Sequence, residues 1–135
     1  MNLLTALRIA STGLTAQRVR LNIASMNLAN AQVTRTAEGG PYRAKEVVLE
    51  AHPLEEDPAL AEVRVKAIVD DPSPFKEVYD PSHPDADERG MVKYPNVDVL
   101  TEMVELLSAG RAYEANLTVI TLTRDLAVKT LDLLR

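Results

Sequence analysis

Hydrophobic residues in the first thirty positions recur in alternating steps of four and three. This line consists of Leu3, Leu7, Ala10, Leu14, Gln17, Leu21, Ala24, Leu28 and Ala31. The spacing keeps one seam of a helix facing a partner helix and predicts a helix over about residues 3–31. A second line on another side contains Ile9, Ala16, Val19, Ile23 and Met26. One partner cannot cover both lines, so this helix should carry apolar surface beyond a single stripe.

The last forty residues show the same periodicity. Their seam consists of Met103, Leu106, Gly110, Tyr113, Leu117, Ile120, Arg124, Ala127, Leu131 and Leu134, and a second face contains Val119, Leu122, Leu126 and Leu133. Asn96 or Asp98, just after Pro95, can cap the first turn, since a short side-chain oxygen accepts from unpaired amides there. A second long helix is therefore predicted, pairing with the first in a coiled-coil-like layer.

The middle of the chain changes to strand periodicity. Val63, Val65, Ala67 and Val69 alternate with largely charged residues, which is typical of a half-buried strand. Weaker strand candidates are residues 44–50, 75–79 and 91–94. All eight prolines lie between positions 41 and 95, where they disfavour helix. We therefore predict an α+β fold in three parts: an N-terminal helix in 1–35, a small antiparallel β insert in 36–95 and a C-terminal helix in 96–135.

Composition and charge exclude several classes of protein. The 135 residues contain no cysteine, which removes disulfides, thiolate chemistry and cysteine metal sites. Arginines interrupt the apolar N-terminal stretch, so direct membrane insertion is not expected. The net charge is -5, and the N-terminal helix lacks a basic cluster, so the chain is not expected to bind nucleic acid.

Candidate chemistry is sparse. The two histidines, His52 and His83, are 31 residues apart and are interpreted as loop residues. Asp85, Asp87 and Gly90 imitate the start of a calcium loop, but Arg89 and Asn96 occupy positions where ligands belong. We therefore expect no catalytic residue, no metal site and no cofactor.

Short polar and small residues within the helices leave alternatives open. Asn27 and Asn30 lie on one face near the end of the first helix, where their carboxamides can cap it locally or bond a neighbouring subunit. Gly13 and Gly110 cost about 1 kcal/mol each in a helix interior, which indicates close backbone approach or simple tolerance. Arg18 and Arg20 can pair with acids such as Glu102 and Glu105 of an adjacent helix or remain solvated.

Several segments, in order along nearly the whole chain, carry a family resemblance. They are Ala16-Gln17-Arg18, Asn27-Leu28-Ala29-Asn30-Ala31, Thr34-Arg35-Thr36, Gly39-Gly40-Pro41-Tyr42-Arg43, Asp80-Pro81-Ser82-His83-Pro84-Asp85-Ala86, Tyr94-Pro95-Asn96-Val97-Asp98-Val99, Glu102-Met103-Val104 and Arg111-Ala112-Tyr113-Glu114-Ala115-Asn116. Together they resemble the bacterial flagellar rod proteins.

The resemblance implies a structural protein without enzymatic activity. Such proteins polymerise with copies of themselves and homologous rod proteins in the periplasmic rod of the flagellar basal body. Their further partners are the rod-to-ring junction protein, the inner-membrane ring and the flagellar type III export apparatus, through which they leave the cytoplasm without a cleaved signal peptide. The terminal helices would form the inner layer of the rod, and the insert would face outward.

The apolar helices suggest that folding is coupled to assembly, because a lone hairpin covers only one face of each helix. The predicted assembly interface consists of Leu3, Leu7, Leu14, Leu21, Asn27, Leu28, Asn30, Asn96, Met103, Leu106, Tyr113, Leu117, Ile120 and Leu131. Two other classes remain as alternatives: a soluble coiled-coil adaptor or regulator that forms a closed helical oligomer, and a small enzyme, which would need a pocket with converging polar groups.

Overall fold

The computed structural model describes residues 1–135 and contains two helices and four strands. In chain order they are α1 (Leu3–Ala29), β1 (Lys45–Pro53), β2 (Ala61–Asp70), β3 (Lys76–Tyr79), β4 (Met91–Tyr94) and α2 (Val99–Leu133). The helices pack against each other and the strands form two small antiparallel sheets. The predicted α+β fold is confirmed.

The helix boundaries follow from capping side chains. The carboxamide of Asn2 accepts a hydrogen bond from Thr5 N at 2.8 Å and starts α1. Asp98 accepts from the amides of Leu100 and Thr101 at 3.0 and 3.2 Å and starts α2. Of the two residues predicted as the N-cap of α2, Asp98 occupies that position in the structure. At the end of α1, Asn30 is the C-cap, with its backbone N–H and its side chain both donating to Met26 O, so the capping interpretation of Asn30 is confirmed.

The two helices form an antiparallel hairpin whose seam is lined by small and polar residues on α1 and by small, polar and large apolar residues on α2. Arg20 and Glu105 form an ion pair at 2.9 Å across it, and Gly13 lies against the side chain of Asn116. The buried and half-buried positions recur in steps of four and three: Ala6, Ala10, Gly13, Gln17, Arg20, Ala24 and Asn27 in α1, and Glu102, Leu106, Ala109, Tyr113, Asn116, Ile120, Thr123 and Ala127 in α2.

The observed seam differs from the predicted seam at every second position, and there the prediction is wrong. In α1 every second predicted position is shifted by one residue, so that Leu7, Leu14, Leu21 and Leu28 flank the seam instead of forming its centre. The same shift in α2 moves Met103, Gly110, Leu117 and Arg124 to the flank. The physical reason is close approach: alanine and glycine at the centre let the two backbones come together, and the larger side chains then lie beside the contact.

The first sheet packs on α1. Strands β1 and β2 pair from Lys45↔Asp70 to Pro53↔Ala61, with a bulge between Val48 and Leu49. Thr12 of α1 accepts a hydrogen bond from Val63 N at 3.3 Å, and Arg8 binds the buried carboxylate of Glu62. The predicted strands are confirmed. The interpretation of His52 as a loop residue is wrong, because His52 lies in β1 and is the register partner of Glu62 in β2.

The second sheet is a short hairpin of β3 and β4, paired from Lys76↔Tyr94 to Tyr79↔Met91. No helix and no other strand packs against it. It is attached to the rest of the molecule through the segments that precede and follow it and through its turn, residues 80–90.

The molecule buries little of its own surface. Its accessible surface is 9210 Å², whereas a compact monomer of its mass has about 7,000 Å². Only 14 of 135 residues are buried, and the aliphatic core positions in the helices are all alanines. The large apolar side chains of the helices are thus mostly outside the core. Neither helix is apolar over a stretch long enough to cross a membrane.

Gly13→Ala tests the close approach of the helices. A Cβ at position 13 would lie 2.6 Å from Asn116 Oδ1, so we expect a net loss of about 1–2 kcal/mol in unfolding free energy, although alanine is the better helix former. Gly110→Ala is the matched control, since its Cβ would lie 3.9 Å from Leu21 Cδ2 and stability should hold or rise. Urea denaturation measures both. A fully stable Gly13→Ala variant would contradict the close contact, and adding Asn116→Ala should relieve it.

Candidate assembly surface

One side of the helix hairpin faces away from the β1–β2 sheet and is apolar. Thr12 turns toward the sheet and Gly13 toward α2, so Leu14, one step further round the helix, faces the opposite side. Gly110 of α2 faces Leu21 on that side. We call this the distal face; its large apolar residues are Leu7, Leu14, Leu21 and Leu28 of α1 and Met103, Leu117 and Leu131 of α2. In each helix they recur at intervals of seven or fourteen residues.

The end of α2 extends past the start of α1. The Arg20–Glu105 and Gly13–Asn116 pairs set an antiparallel register that places Leu3 near Leu126. Residues 128–135, here called the overhang, therefore have no α1 residue beside them. Leu131, Leu133 and Leu134 are 62%, 85% and 79% exposed, and with Val128 they point to all sides of the helix. Lys129, Thr130, Asp132 and Arg135 lie between them, so the overhang presents both exposed apolar residues and charged residues.

The other end of α2 carries a second exposed apolar group. It consists of Val99, Leu100, Met103, Val104 and Leu107, here called the basal strip. These side chains lie on the first turns, on the side of α2 turned away from the α1 seam. The exposed apolar surface therefore includes both ends of the hairpin as well as its distal face.

The predicted interface residues fall into three groups. Leu3, Met103, Leu117 and Leu131 are exposed, and half-buried beside the seam or within it are Leu7, Leu14, Leu21, Leu28, Leu106, Tyr113 and Ile120. The three asparagines, Asn27, Asn30 and Asn96, form hydrogen bonds within the chain. The sequence analysis missed the exposed residues Leu100, Val104 and Leu107. They recur in steps of four and three outside the predicted seam, and this spacing was the available signal.

Asn27 joins α1 to the first sheet. Its side chain donates to Lys45 O at 2.9 Å and accepts from Lys45 N at 3.0 Å, so it pairs with that residue as a neighbouring strand would. Its oxygen also accepts from the Tyr42 hydroxyl at 2.7 Å. The residue is 1% exposed. Neither interpretation from the sequence describes Asn27, because its carboxamide is used inside the subunit rather than for capping or for bonding a neighbour.

Asn96 acts in the same way from the other side of the junction. Its oxygen accepts from Ala44 N at 2.8 Å, and its nitrogen donates to the carbonyls of Asp71 and Ser73 at 3.1 and 3.0 Å. Two asparagines thus hold the adjacent residues Ala44 and Lys45, where the insert begins. The orientation of the insert relative to the helices is set at this point.

Carboxylates collect where this junction meets α2. Burial raises the pKa of Glu102, and the nearby carboxylates of Glu105, Glu46 and Asp71 raise it further, against an opposing effect of Asn27. Arg20 pairs with Glu105 of the same chain, whereas Arg18 forms no ion pair. The base of the hairpin is therefore acidic as well as apolar.

The residues that imitate a calcium loop are engaged within the fold. Asp85 binds Thr34 and Arg35. Asp87 accepts from the amides of Arg89 and Met91 at 2.8 and 3.0 Å. His83 accepts from Asp85 N at 3.0 Å and lies edge-on to Tyr94. These side chains stabilise a turn.

Comparison with known proteins agrees with this arrangement. The family model described as "Flagella basal body rod protein" matches residues 7–35, and "Flagellar basal body rod FlgEFG protein C-terminal" matches residues 88–133. The chain is 46% identical over 135 residues to the flagellar basal-body rod protein FlgC of Yersinia enterocolitica, covering 98% of both chains. It is 44% identical to FlgC of Salmonella typhimurium, again over 98% of both, and 40% identical to FlgC of Borreliella burgdorferi, over 100% and 99%.

Asn27→Ala should uncouple α1 from the first sheet. The substitution leaves the Tyr42 hydroxyl and both backbone groups of Lys45 without partners, which should cost about 2–4 kcal/mol of unfolding free energy. Asn22→Ala removes the same side chain from an exposed position of α1 and should change stability by less than about 0.5 kcal/mol. Thermal and urea denaturation of both variants measure this. Equal stabilities would show that the Asn27 hydrogen bonds do not hold the junction.

Glu102→Gln should stabilise the protein at neutral pH. Because the pKa of Glu102 is raised in the folded state, its ionisation destabilises the fold, and the stability present below the unfolded-state pKa is lost as pH rises through the folded-state pKa. The advantage of the glutamine variant should therefore be small near pH 4 and larger at pH 7. Glu114→Gln, at an exposed position of α2, is the control. The urea midpoints of the three proteins, measured from pH 4 to pH 7, test this prediction. A stability advantage of Glu102→Gln that is confined to acidic pH would contradict a raised pKa of Glu102 in the folded state.

Proposed function

Because the chain belongs to the FlgC family of flagellar basal-body rod proteins, we propose that this rod subunit polymerises through its two terminal helices to form part of the drive shaft across the periplasm. Its neighbours would be copies of itself and homologous rod proteins. Further neighbours would be the rod-to-ring junction protein and the inner-membrane ring. We propose a structural role, which is supported by relatives that are named flagellar basal-body rod proteins.

The observation that carries the proposal is the apolar surface left open by the hairpin. The accessible surface exceeds that of a compact monomer by roughly a third. Each large aliphatic side chain gains about 1.5–3 kcal/mol when it is fully buried. The distal face, the basal strip and the overhang together therefore favour association strongly.

The arrangement of these surfaces favours an open assembly. The overhang and the basal strip lie at opposite ends of the hairpin and differ in shape and charge, so a contact between them joins unlike surfaces. Such a contact repeats head to tail and yields a helical assembly unless its rotation closes into a ring. The distal face, which runs along the hairpin, is suited to lateral contact with a neighbouring pair of helices.

Folding would be coupled to assembly in this proposal. Only Leu106, Tyr113 and Ile120 of α2 place large apolar side chains in the seam. The free energy of burying the other large apolar side chains of α2 is gained when neighbours arrive. A subunit with weakly held ends suits passage through the flagellar type III export apparatus, which we propose as the route to the growing tip, without a cleaved signal peptide.

Replacing exposed leucines of α2 tests the proposal. Leu117→Asp combined with Leu131→Asp places charges on the distal face and the overhang, where the side chains are already exposed in the subunit. The variant should keep its helical circular dichroism. In cells that lack the natural copy of the gene, we expect it to be at least tenfold depleted from isolated basal bodies, with swimming lost.

The control introduces a single aspartate on α2 without touching the apolar surfaces, and Leu117→Asp alone is the variant that matches it in charge. Thr118→Asp lies beside Leu117 on α2, is exposed, and belongs to none of the three surfaces. It should enter the rod normally. Normal incorporation of the double leucine variant would overturn the proposal, and a discrete closed oligomer of the wild-type protein in dilute solution would favour a coiled-coil adaptor instead.

A further inference from the structure

We propose that residues 76–94, comprising β3, the turn and β4, form a lid that opens as a unit and is latched shut by the carboxylate of Asp85. The latch binds the segment that connects α1 to β1, residues 30–44, here called the connector. This inference concerns the isolated subunit and is independent of the assembly proposal.

The lid is separable because its strands pair only with each other. All four pairs of the β3–β4 ladder are internal, from Lys76↔Tyr94 to Tyr79↔Met91, and no other helix or strand packs on it. Motion of the whole hairpin therefore breaks no ladder hydrogen bond. Opening would expose Val92 of β4, which is fully buried, so the closed state is held by this apolar contact as well as by the latch.

The turn that carries Asp85 holds its own shape. Asp80 N donates to Gly90 O and Asp87 N donates to Met91 O, both at 2.9 Å. Asp87 also accepts from two amides of the turn, and Asp85 N is bound by His83. The turn is therefore preorganised, and it can move with β3 and β4 as one body.

The chain segments just before and just after the lid are held by hydrogen bonds, and this determines where the lid can pivot. Asn96, two residues after the end of the lid, is bonded to Ala44, Asp71 and Ser73, so the chain on both sides of the lid is tied to the start of β1. Lys76 donates to Val97 O at 2.7 Å near the same point. Pivoting is thereby confined to residues 74–76 and 95, and the turn is the end that is free to swing.

Asp85 holds the swinging end. One carboxylate oxygen accepts from the Thr34 hydroxyl at 2.8 Å, and the other binds the guanidinium of Arg35. The Asp85 side chain is 20% exposed and that of Arg35 is 71% exposed. The Thr34 hydrogen bond lowers the pKa of Asp85, with a further contribution from Arg35. The latch is thus formed by the ionised carboxylate at neutral pH.

An apolar region lies where the lid meets the connector and the start of α2. Val92 and Val97 are fully or almost fully buried. A cleft of about 220 Å³ between the lid, the connector and the start of α2 is lined by residues that include Ala31, Val78, Tyr94 and Val97. Opening the lid would widen this cleft and expose its apolar walls while leaving the helix seam and the first sheet intact.

Thiol labelling of the full-length protein tests the latch. The chain has no cysteine, so Val92→Cys places a single thiol at a fully buried position of the lid. Adding Asp85→Ala should make this thiol react about tenfold faster or more, because the charged hydrogen bonds that oppose opening are gone. A thiol introduced in the helix seam by Ala109→Cys, at a position that is also fully buried, should react at the same rate with and without Asp85→Ala. Thr34→Val, which removes one contact from the connector side, should accelerate labelling at position 92 by a smaller factor.

Glu77→Ala is the matched control, since it removes an exposed carboxylate from the lid itself without touching the connector. It should leave labelling at position 92 unchanged. The proposal is overturned if Asp85→Ala does not accelerate labelling at position 92, if Glu77→Ala accelerates it equally, or if the thiol at position 109 becomes reactive to the same extent. Should the alanine variant fail to fold, Asp85→Asn, which keeps an acceptor for Thr34, provides the same readout.

Discussion

The rest of the structure depends on the close contact of two helices through small residues. Gly13, Ala24 and Ala109 allow the backbones of α1 and α2 to approach, and this approach leaves the larger leucines with no place at the centre. In α1 the usual arrangement of a soluble hairpin, with leucine inside and small or polar residues outside, is therefore reversed, whereas α2 keeps Leu106, Tyr113 and Ile120 in the seam. The open apolar surface and the thin core both follow from that reversal.

The insert is joined to this hairpin by polar contacts rather than by a shared hydrophobic core. Asn27 pairs with Lys45 and Asn96 with Ala44, so adjacent residues are held from the ends of both helices. Buried hydrogen bonds of this kind are directional, and each loses its energy when the partner moves. They fix an angle between helices and insert that nonspecific apolar contact would leave adjustable. In the proposed drive shaft, such a junction would transmit rotation between the helices and the insert.

Much of the fold could be predicted because it depends on local patterns. The helices follow from periodicity and the absence of proline, and β2 follows from alternation in residues 63–69. The seam register could not be predicted by placing large apolar residues inward, because here close approach outweighs side-chain size; the regular spacing of Ala10, Gly13 and Ala24 was the available signal. The role of Asn27 was hidden for another reason: its partner is the backbone of Lys45, and backbone groups leave no trace in a sequence.

The reversed hairpin also explains why the subunit has two kinds of contact surface. Its distal face is straight and long, since α1 spans about 40 Å, and it matches the side of another helix pair. The overhang carries Val128, Leu131, Leu133 and Leu134 on different sides of the helix, between charged residues. One flat neighbour would leave some of these four side chains in water, so burying all of them requires a site formed by more than one neighbour. A rod built from such subunits would therefore gain lateral contacts one neighbour at a time. Its axial contacts would be completed only when at least two neighbours already form the site, which would favour growth at an existing tip over assembly of free subunits.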